Sequence, residues 1–429
     1  MQKVNTAPLS GFMELLPTDQ MVFDQIKQVI SDVHHANGFL SVDLPLIYRE
    51  EILLAKAGGD TEKQIYQLQK GDNKLALRFD HTVPLAAYIA ENQNDLVFPF
   101  KVSNIGKNYR GERSQRGRYR EFYQCDCDVI GRGELSIAYD AEVIGVIYEI
   151  YKKLNFGEFT LRVSNRKLLN GFLTSLNLQN ILAVSHVIDG AEKISEAELI
   201  RQFQLLNITK EMIAKIVQFI NISGTNSEVL SKLKALEIDN ADFVAGLSEL
   251  ETVMDLLAKK GVDNAKIDLM IVRGLDYYTG TVYETILNDY PEIGSISSGG
   301  RYDNLTDSYT NERFQGVGAS IGLTRLFYVL QENGIVTTER TSPVDVLLVP
   351  FSRKQFEYCY ILSDTIKNAG KTVDIFLADD KLGKKLSYAN KAHVKNVIVV
   401  GENEVENGNV MVKNMDNGEL STLDEYLNN

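Results

Sequence analysis

The chain is predicted to be α+β: an antiparallel sheet flanked by helices, a helical stretch inserted into that sheet, and a smaller C-terminal α/β unit. Three observations point there. Strand-like alternation of apolar residues is confined to two regions, one before Lys167 and one after Asn264. Between them Leu, Ile, Lys and Glu recur only at helical spacing. After Pro343, strand and helix patterns take turns, the signature of a small, largely parallel sheet.

The elements follow in order. Apolar residues from Met21 to His35 keep helical spacing, and Gly38 stops that helix before the strand candidate Phe39 to Leu44, which ends at Pro45. Further strands are predicted at Lys74 to Phe79, Phe100 to Tyr109, Glu121 to Ile130 and Glu158 to Val163, with helices around Pro84 to Asn92 and Ile137 to Lys153. Strands resume at Ile267 to Val272 and Thr281 to Ile286, followed by a Gly-rich turn at Ser298 to Arg301 and an apolar helix from Ala319 to Leu330. The last unit reads strand Val344 to Val349, helix Lys354 to Ala369, strand Thr372 to Phe376, helix Lys381 to His393 and strand Val397 to Val400. The expected domains are therefore 1–166 and 266–336 as two parts of one unit, 167–265 as the insertion and 343–429 as the last, with the linker at Thr337 to Ser342.

Bulk properties narrow the function classes. A chain of 429 residues exceeds what one core organises, so several domains are expected. With 44% hydrophobic and 24% charged residues and no apolar run near the ~20 residues that span a bilayer, it reads as a soluble globular protein with no place in the membrane. The N-terminus lacks the apolar stretch of a secretory signal, so a cytoplasmic location is expected. Cys125, Cys127 and Cys359 are too few for a disulfide framework, and no second Cys or His cluster completes a zinc site beside Cys125 and Cys127.

A net charge of −13 argues against nonspecific coating of nucleic acid. Two basic runs stand out on this acidic body: Lys101, Lys107, Arg110, Arg113, Arg116, Arg118 and Arg120, then Lys381, Lys384, Lys385, Lys391 and Lys395. Either alone is usually a solvated face, but together they suit selective binding of a polyanion.

Four segments carry chemistry. Tyr109 to Phe122 places five arginines in one strand-loop-strand unit, and a planar guanidinium fork grips phosphate in a fixed orientation; Arg110 and Gln124 would point to one sheet face. Arg273-Gly274-Leu275-Asp276-Tyr277-Tyr278-Thr279-Gly280 sets a cation and two aromatic hydroxyls after a strand. Ser297 to Asp303 contains Gly299-Gly300, a backbone able to approach a ligand closely. Gly316 to Leu326 carries Arg325 within an apolar helix, where a buried guanidinium needs an anionic partner, either a nucleotide or a structural acid.

In this order the segments resemble the histidyl-tRNA synthetases, a family of class II aminoacyl-tRNA synthetases, over essentially the whole chain. The Arg273 to Gly280 and Ser298 to Asp303 signatures are similar to those of that family; the arginine hairpin and the Gly316 to Leu326 segment resemble the second and third motifs of the class, and the helix and strand ending at Pro45 the first, a dimer interface. The resemblance implies a class II synthetase catalytic domain with a helical insertion, a C-terminal α/β anticodon-binding domain, a homodimer, and three substrates: L-histidine, ATP with Mg2+, and tRNA(His).

It also implies residue roles. Arg110 would contact the α-phosphate of ATP, Arg325 the γ-phosphate, and Glu112 would lie near the adenine. Arg273 would stabilise charge on the α-phosphate as the histidine carboxylate attacks. Asp80 and Thr82 would bind the α-amino group and Gln124 the amino-acid backbone; Asp128 and Tyr278 would read the imidazole, and Tyr277, Arg110 and Arg273 would also bind histidine. Asp80 and Asp128 stand where many members carry Glu. Arg113 and Gln115 are candidates for the acceptor end of the tRNA, and Lys384 and Lys385 for the anticodon stem. No metal ligands are assigned. Two other readings share the fold: a non-charging regulatory paralogue of histidine biosynthesis, and a ligase for another amino acid.

Overall fold

Eight strands form the principal sheet of the structure, a computed structural model that describes residues 4–55, 62–114, 117–272, 278–336 and 342–428. Numbered in chain order, they lie side by side as β1 (Leu40–Ser41), β5 (Phe100–Tyr109), β6 (Glu121–Arg132), β11 (Phe314–Ile321), β10 (Ser297–Tyr302), β9 (Thr281–Leu287), β7 (Phe159–Asn165) and β8 (Ala265–Ile267). Every pairing from β5 to β7 is antiparallel, while the short edge strands β1 and β8 pair in parallel. The chain divides into two compact units, Met1–Glu14 with Asp24–Val336 and Leu15–Phe23 with Thr337–Asn429.

The longest ladder joins β5 to β6, from Phe100 opposite Ile130 to Tyr109 opposite Glu121, so the arginine-rich segment is the tip of that hairpin. The strand expected at Lys74 to Phe79 belongs elsewhere. Its residues form β4 (Asn73–Leu77), the centre of a three-stranded sheet between β2 (Ile47–Arg49) and β3 (Gln67–Lys70). That small sheet leads directly into the helix Thr82–Asn92.

Three expectations are corrected in the second half of the sheet. Ser298 to Arg301 is not a turn: it lies within β10, because glycine there serves close packing of strands. A Cβ on Gly299 would sit 2.2 Å from the carbonyl oxygen of Gly318 and 2.4 Å from the Tyr283 hydroxyl. The apolar helix begins at Leu323 rather than Ala319, since Phe314–Ile321 is a strand buried between β6 and β10. The strand expected from Ile267 to Val272 stops at Ile267. Asp268 turns the chain, its carboxylate accepting from the Met270 N–H at 3.0 Å and from Arg162 Nε at 2.7 Å; Leu269, Ile271 and Val272 are apolar because they are buried, not because they form a ladder.

Between β7 and β8 the chain forms six helices, Arg166–Ser175, Ile181–Asp189, Glu196–Leu205, Lys210–Ile220, Asn226–Lys234 and Ala241–Lys259. Each starts where a polar side chain satisfies an orphan backbone N–H: Asn165, Asn180, Ser195, Thr209, Thr225 and Asn240 all accept such a bond.

The second sheet runs β13 (Val373–Ile375), β12 (Val346–Pro350), β14 (Asn396–Val400), β15 (Met411–Asn414) and β16 (Leu420–Thr422). The first three strands are parallel, as expected, and the last two add an antiparallel hairpin. The turn of that hairpin is Asp416-Asn417-Gly418, with Gly418 at φ 76°, a conformation glycine adopts without a Cβ penalty. All but Ser342 of the expected linker lies outside the described residues.

Candidate active site

Side chains two apart on a strand share a face, and Gln124, Asp126 and Asp128 on β6 do so. Across the ladder from Asp126 and Asp128 stand Ser320 and Gly318 of β11. Space at this face depends on missing side chains: a Cβ on Gly318 would fall 1.8 Å from Asp128 Oδ1. The Tyr283 hydroxyl donates to the carbonyl of Gly318 at 2.6 Å, fixing the backbone there.

Over the face lies a cavity of ≈ 510 Å³, within the range of small-molecule sites. Asp80 and Thr82 reach it from the start of the helix Thr82–Asn92, and Gln124 and Asp126 from β6. The hairpin contributes Arg110, Glu112 and Arg118, and β9 contributes Glu284. Tyr278, Ser320 and Arg325 complete the parts used below. Acidic and basic groups therefore line one opening.

The cations are held in place by backbone. Arg110 donates from Nε to the carbonyl of Phe79 at 3.0 Å, and its guanidinium carbon lies 5.1 Å from the centre of the Phe122 ring, a cation–π contact. Arg325 donates to the carbonyl of Ile293. The hairpin base is pinned by Gly111 N–H to the Gln64 carbonyl at 2.7 Å and by Arg120 Nε to the Glu112 carbonyl at 3.0 Å. The Glu112 to Arg118 ion pair, at 3.5 Å and part-exposed, adds little.

Two carboxyls at this face are deeply buried. Asp80 is buried, with Oδ1 accepting from the Val83 N–H at 3.2 Å and Oδ2 unpaired. Burial pushes its carboxyl up to about 7, against the pull of that N–H and of Arg110. Asp128 is pushed up to about 8, first by burial and then by the charge of Asp126, although the Tyr302 hydroxyl donates to its Oδ1 at 2.7 Å. Such a face favours a ligand that brings positive charge.

A relay of side-chain hydrogen bonds runs under the cavity. Asn108 Nδ2 donates to Gln124 Oε1 at 2.6 Å, Gln124 Nε2 to Ser320 Oγ at 2.6 Å, and Ser320 Oγ to Asp126 Oδ1 at 2.6 Å. Among the described residues no group of three His, Cys, Asp or Glu side chains is arranged to hold a metal ion.

Of the residues selected from sequence, Asp80, Thr82, Arg110, Glu112, Gln124, Tyr278 and Arg325 line this one cavity. Asp128 does not line it and is held by Tyr302 instead. Arg273, Tyr277 and Gln115 lie outside the described residues. Arg113 is exposed on the hairpin, and Lys384 is exposed with its ammonium 2.8 Å from Asp380. Lys385 needs correction as a nucleic-acid contact: it is 1% exposed, donates to the carbonyl of Pro350 at 2.7 Å and lies over the Phe376 ring, so its stem and charge belong to the core of its own unit. Asp126, Ser320 and Glu284 are additions that the structure makes to the sequence reading. The alternation between Gln124 and Asp128 is a signal that points to Asp126; Glu284 sits in a strand with buried neighbours on both sides and gives no such signal.

Comparison with known proteins agrees with the geometry. The family model described as histidyl-tRNA synthetase matches residues 11–326, and the anticodon binding domain matches residues 345–425. A Clostridium tetani protein named histidine–tRNA ligase is 48% identical over 422 residues, 98% of this chain and 96% of its own length. One of the same name from Finegoldia magna is 44% identical over 428 residues, covering 99% of each. The crystal structure of histidyl-tRNA synthetase from Nostoc sp. PCC 7120 is 38% identical and superposes with a TM-score of 0.91 over 99% of both chains. A Bacillus halodurans structure described as an ATP phosphoribosyltransferase regulatory subunit/histidyl-tRNA synthetase shares the fold, with a TM-score of 0.78 over 93% of this chain and 99% of its own at 20% identity. A catalytic sheet whose cavity joins guanidinium and carboxylate groups, followed by a second α/β unit, thus has a family: the chain belongs to the histidyl-tRNA synthetases.

Proposed function

We propose that this chain is a histidine–tRNA ligase, which activates L-histidine with ATP to histidyl-adenylate, releases pyrophosphate, and transfers the histidyl group to the 3′ end of tRNA(His). The observation that carries this reading is the single cavity lined by Asp80, Thr82 and Gln124 together with Arg110 and Arg325. An amino acid needs an anionic and amide-bearing surface for its ammonium group, and a triphosphate needs fixed cations. Activation joins the two, so both must be served in one place.

In this reading magnesium would accompany ATP as part of the substrate and would supply charge neutralisation for the phosphates, with no protein ligands assigned to it. Arg110 neutralises the α-phosphate, Arg325 the γ-phosphate, and Glu112 approaches the adenine; Arg273 stabilises α-phosphate charge in the transition state. Asp80 and Thr82 take the α-ammonium, Gln124 holds the rest of the amino-acid backbone, and Tyr277 also serves histidine binding. Tyr278 and Asp128 read the imidazole, the Tyr302 hydroxyl donating to Asp128 Oδ1. The histidine carboxylate then attacks the α-phosphorus, its oxygen forming the new bond as pyrophosphate departs.

Residues 1–166 and 266–336 act as the catalytic domain, 167–265 as an insertion and 343–429 as the anticodon-binding domain. Arg113 and Gln115 meet the acceptor end of the tRNA and Lys384 the anticodon stem. The enzyme works as a cytoplasmic homodimer; among the described residues no helix is long and apolar enough to cross a membrane. Against a non-charging regulatory role stands the C-terminal unit, which matches the anticodon binding domain over residues 345–425.

ATP–pyrophosphate exchange tests the first half-reaction and charging of tRNA(His) the second. Both are expected to depend on histidine. Exchange driven by another amino acid and not by histidine would defeat the reading, and absence of histidine-dependent exchange together with absence of charging would favour the regulatory alternative.

A further inference from the structure

Asp126 stands at the end of the relay beneath the amino-acid side of the cavity, 3% exposed. Its Oδ1 accepts from Ser320, and its Oδ2 lies 3.3 Å from Nδ1 of His81, without the alignment of a hydrogen bond. His81 is itself buried, between Asp80 and Thr82 in the chain. One carboxylate therefore touches both supports of the proposed ammonium site: the strand that carries Gln124 and the helix start that carries Asp80 and Thr82.

The chemistry of the relay has a direction, and Asp126 sets it. A carboxylate oxygen that bears no proton can only accept, and Ser320 donates to Asp126 Oδ1 at 2.6 Å. Ser320 is then left to accept, and takes the Nε2–H of Gln124; the Gln124 carbonyl is thereby turned to Asn108. A neutral amide in place of the carboxylate could donate to Ser320 and let the whole chain run backwards, exchanging the Gln124 carbonyl and amino group as seen from the cavity. A substrate ammonium, which only donates, would then meet a donor.

Resting on the reading of this cavity as the site of amino-acid activation, we propose that Asp126 is a positioning residue that determines amino-acid affinity: through Ser320 it fixes which end of the Gln124 amide faces the substrate ammonium, and through His81 it steadies the adjoining helix start. It does not act on ATP. The partner recognised is a cationic α-ammonium group, and the effect is on substrate orientation rather than on the reacting phosphorus.

The test is steady-state ATP–pyrophosphate exchange by the full-length chain carrying D126N, S320A and both together, with histidine and ATP varied separately. D126N is expected to raise the KM for histidine about tenfold or more, the scale of a hydrogen bond to a charged group, while the KM for ATP stays within about twofold. S320A should reproduce that split, and the double variant should be no worse than the poorer single one, since both break the same relay. A histidine KM within about twofold of the unsubstituted enzyme in S320A, or additive effects in the double variant, would overturn the assignment. If D126N fails to fold, S320A alone decides between the two outcomes by the same KM criterion. Should the unsubstituted enzyme exchange with a different amino acid, the functional reading falls, yet the same split for that amino acid would still support Asp126; exchange with none overturns both.

Discussion

Two basic runs, one rich in arginine and one in lysine, meet different fates. In the hairpin between β5 and β6, Arg110 and Arg118 line the cavity, and Arg110 is held by a backbone carbonyl and a ring face instead of a carboxylate. In the C-terminal unit, Lys384 faces Asp380 and Lys385 is buried against the Pro350 carbonyl. Fixing a cation with neutral partners at an open cavity keeps its charge for a ligand, whereas pairing it with an acid, or burying it in a core, commits that charge to the fold. Charge counted along a chain does not distinguish these outcomes; the partner and the surroundings do.

The sharpest way to break this comparison is Arg110→Ala. A preorganised cation at a reacting phosphate is expected to be worth about 10²- to 10³-fold in the rate of histidyl-adenylate formation, an effect far larger than the modest loss of thermal stability from the Phe79 carbonyl left without its donor. Single-turnover adenylation within a few-fold of the parent would place Arg110 with the structural cations.

The buried carboxyls of Asp80 and Asp128 should also make the cavity's unit pH-sensitive. Below the ordinary value of 3.8, Asp80 is protonated in both folded and unfolded chains; between 3.8 and about 7 the unfolded chain releases a proton that the folded one keeps, so this contribution to stability is lost as pH rises through that window. Asp128 behaves alike up to about 8. Asp80→Asn should therefore raise the melting temperature of the ligand-free protein at pH above about 8 and much less at low pH, while weakening histidine binding. A melting curve unchanged by D80N at both ends would show that the folded carboxyl titrates normally.

Lys385→Ala should cost stability and not chemistry, about 1–3 kcal/mol from a buried carbonyl left without its donor. Thermal denaturation reads that loss, and pyrophosphate exchange should remain at the parental level. The smallest effects are expected on the surface. Lys384→Ala and Arg113→Ala should each reduce the salt dependence of tRNA binding by about one phosphate contact, leaving exchange unaltered. A salt slope identical to that of the parent in K384A would mean that Asp380 is its only partner.

How far the sequence can be read follows the range of the forces involved. The hairpin from Phe100 to Arg132 is legible because alternation over ten or more residues is a local property, and the six inserted helices are legible as a region because their spacing and caps lie within a turn of one another. The strand at Ser297–Tyr302 reads as a turn because Gly299 and Gly300 signal flexibility locally, whereas Gly299 admits Tyr283 and the Gly318 backbone and Gly300 the Thr281 carbonyl and the Tyr278 ring. The final hairpin has a local signal of its own in Asp416-Asn417-Gly418, but the strands on either side are too short for alternation to mark them.

Sequence alone determined the order and kind of most elements, the break into a sheet-bearing unit and a later α/β unit, and the segments rich in groups that grip anions, since each depends on residues close together in the chain. Tertiary structure decided which charges remain available. The Gln124 to Ser320 bond joins residues 196 apart, the Asp128 to Tyr302 bond residues 174 apart, and the burial of Lys385 depends on a carbonyl 35 residues upstream. A carboxylate's readiness for a ligand, or a lysine's loss to the core, is set by desolvation and by partners brought from distant strands, and neither exists until the sheet has closed.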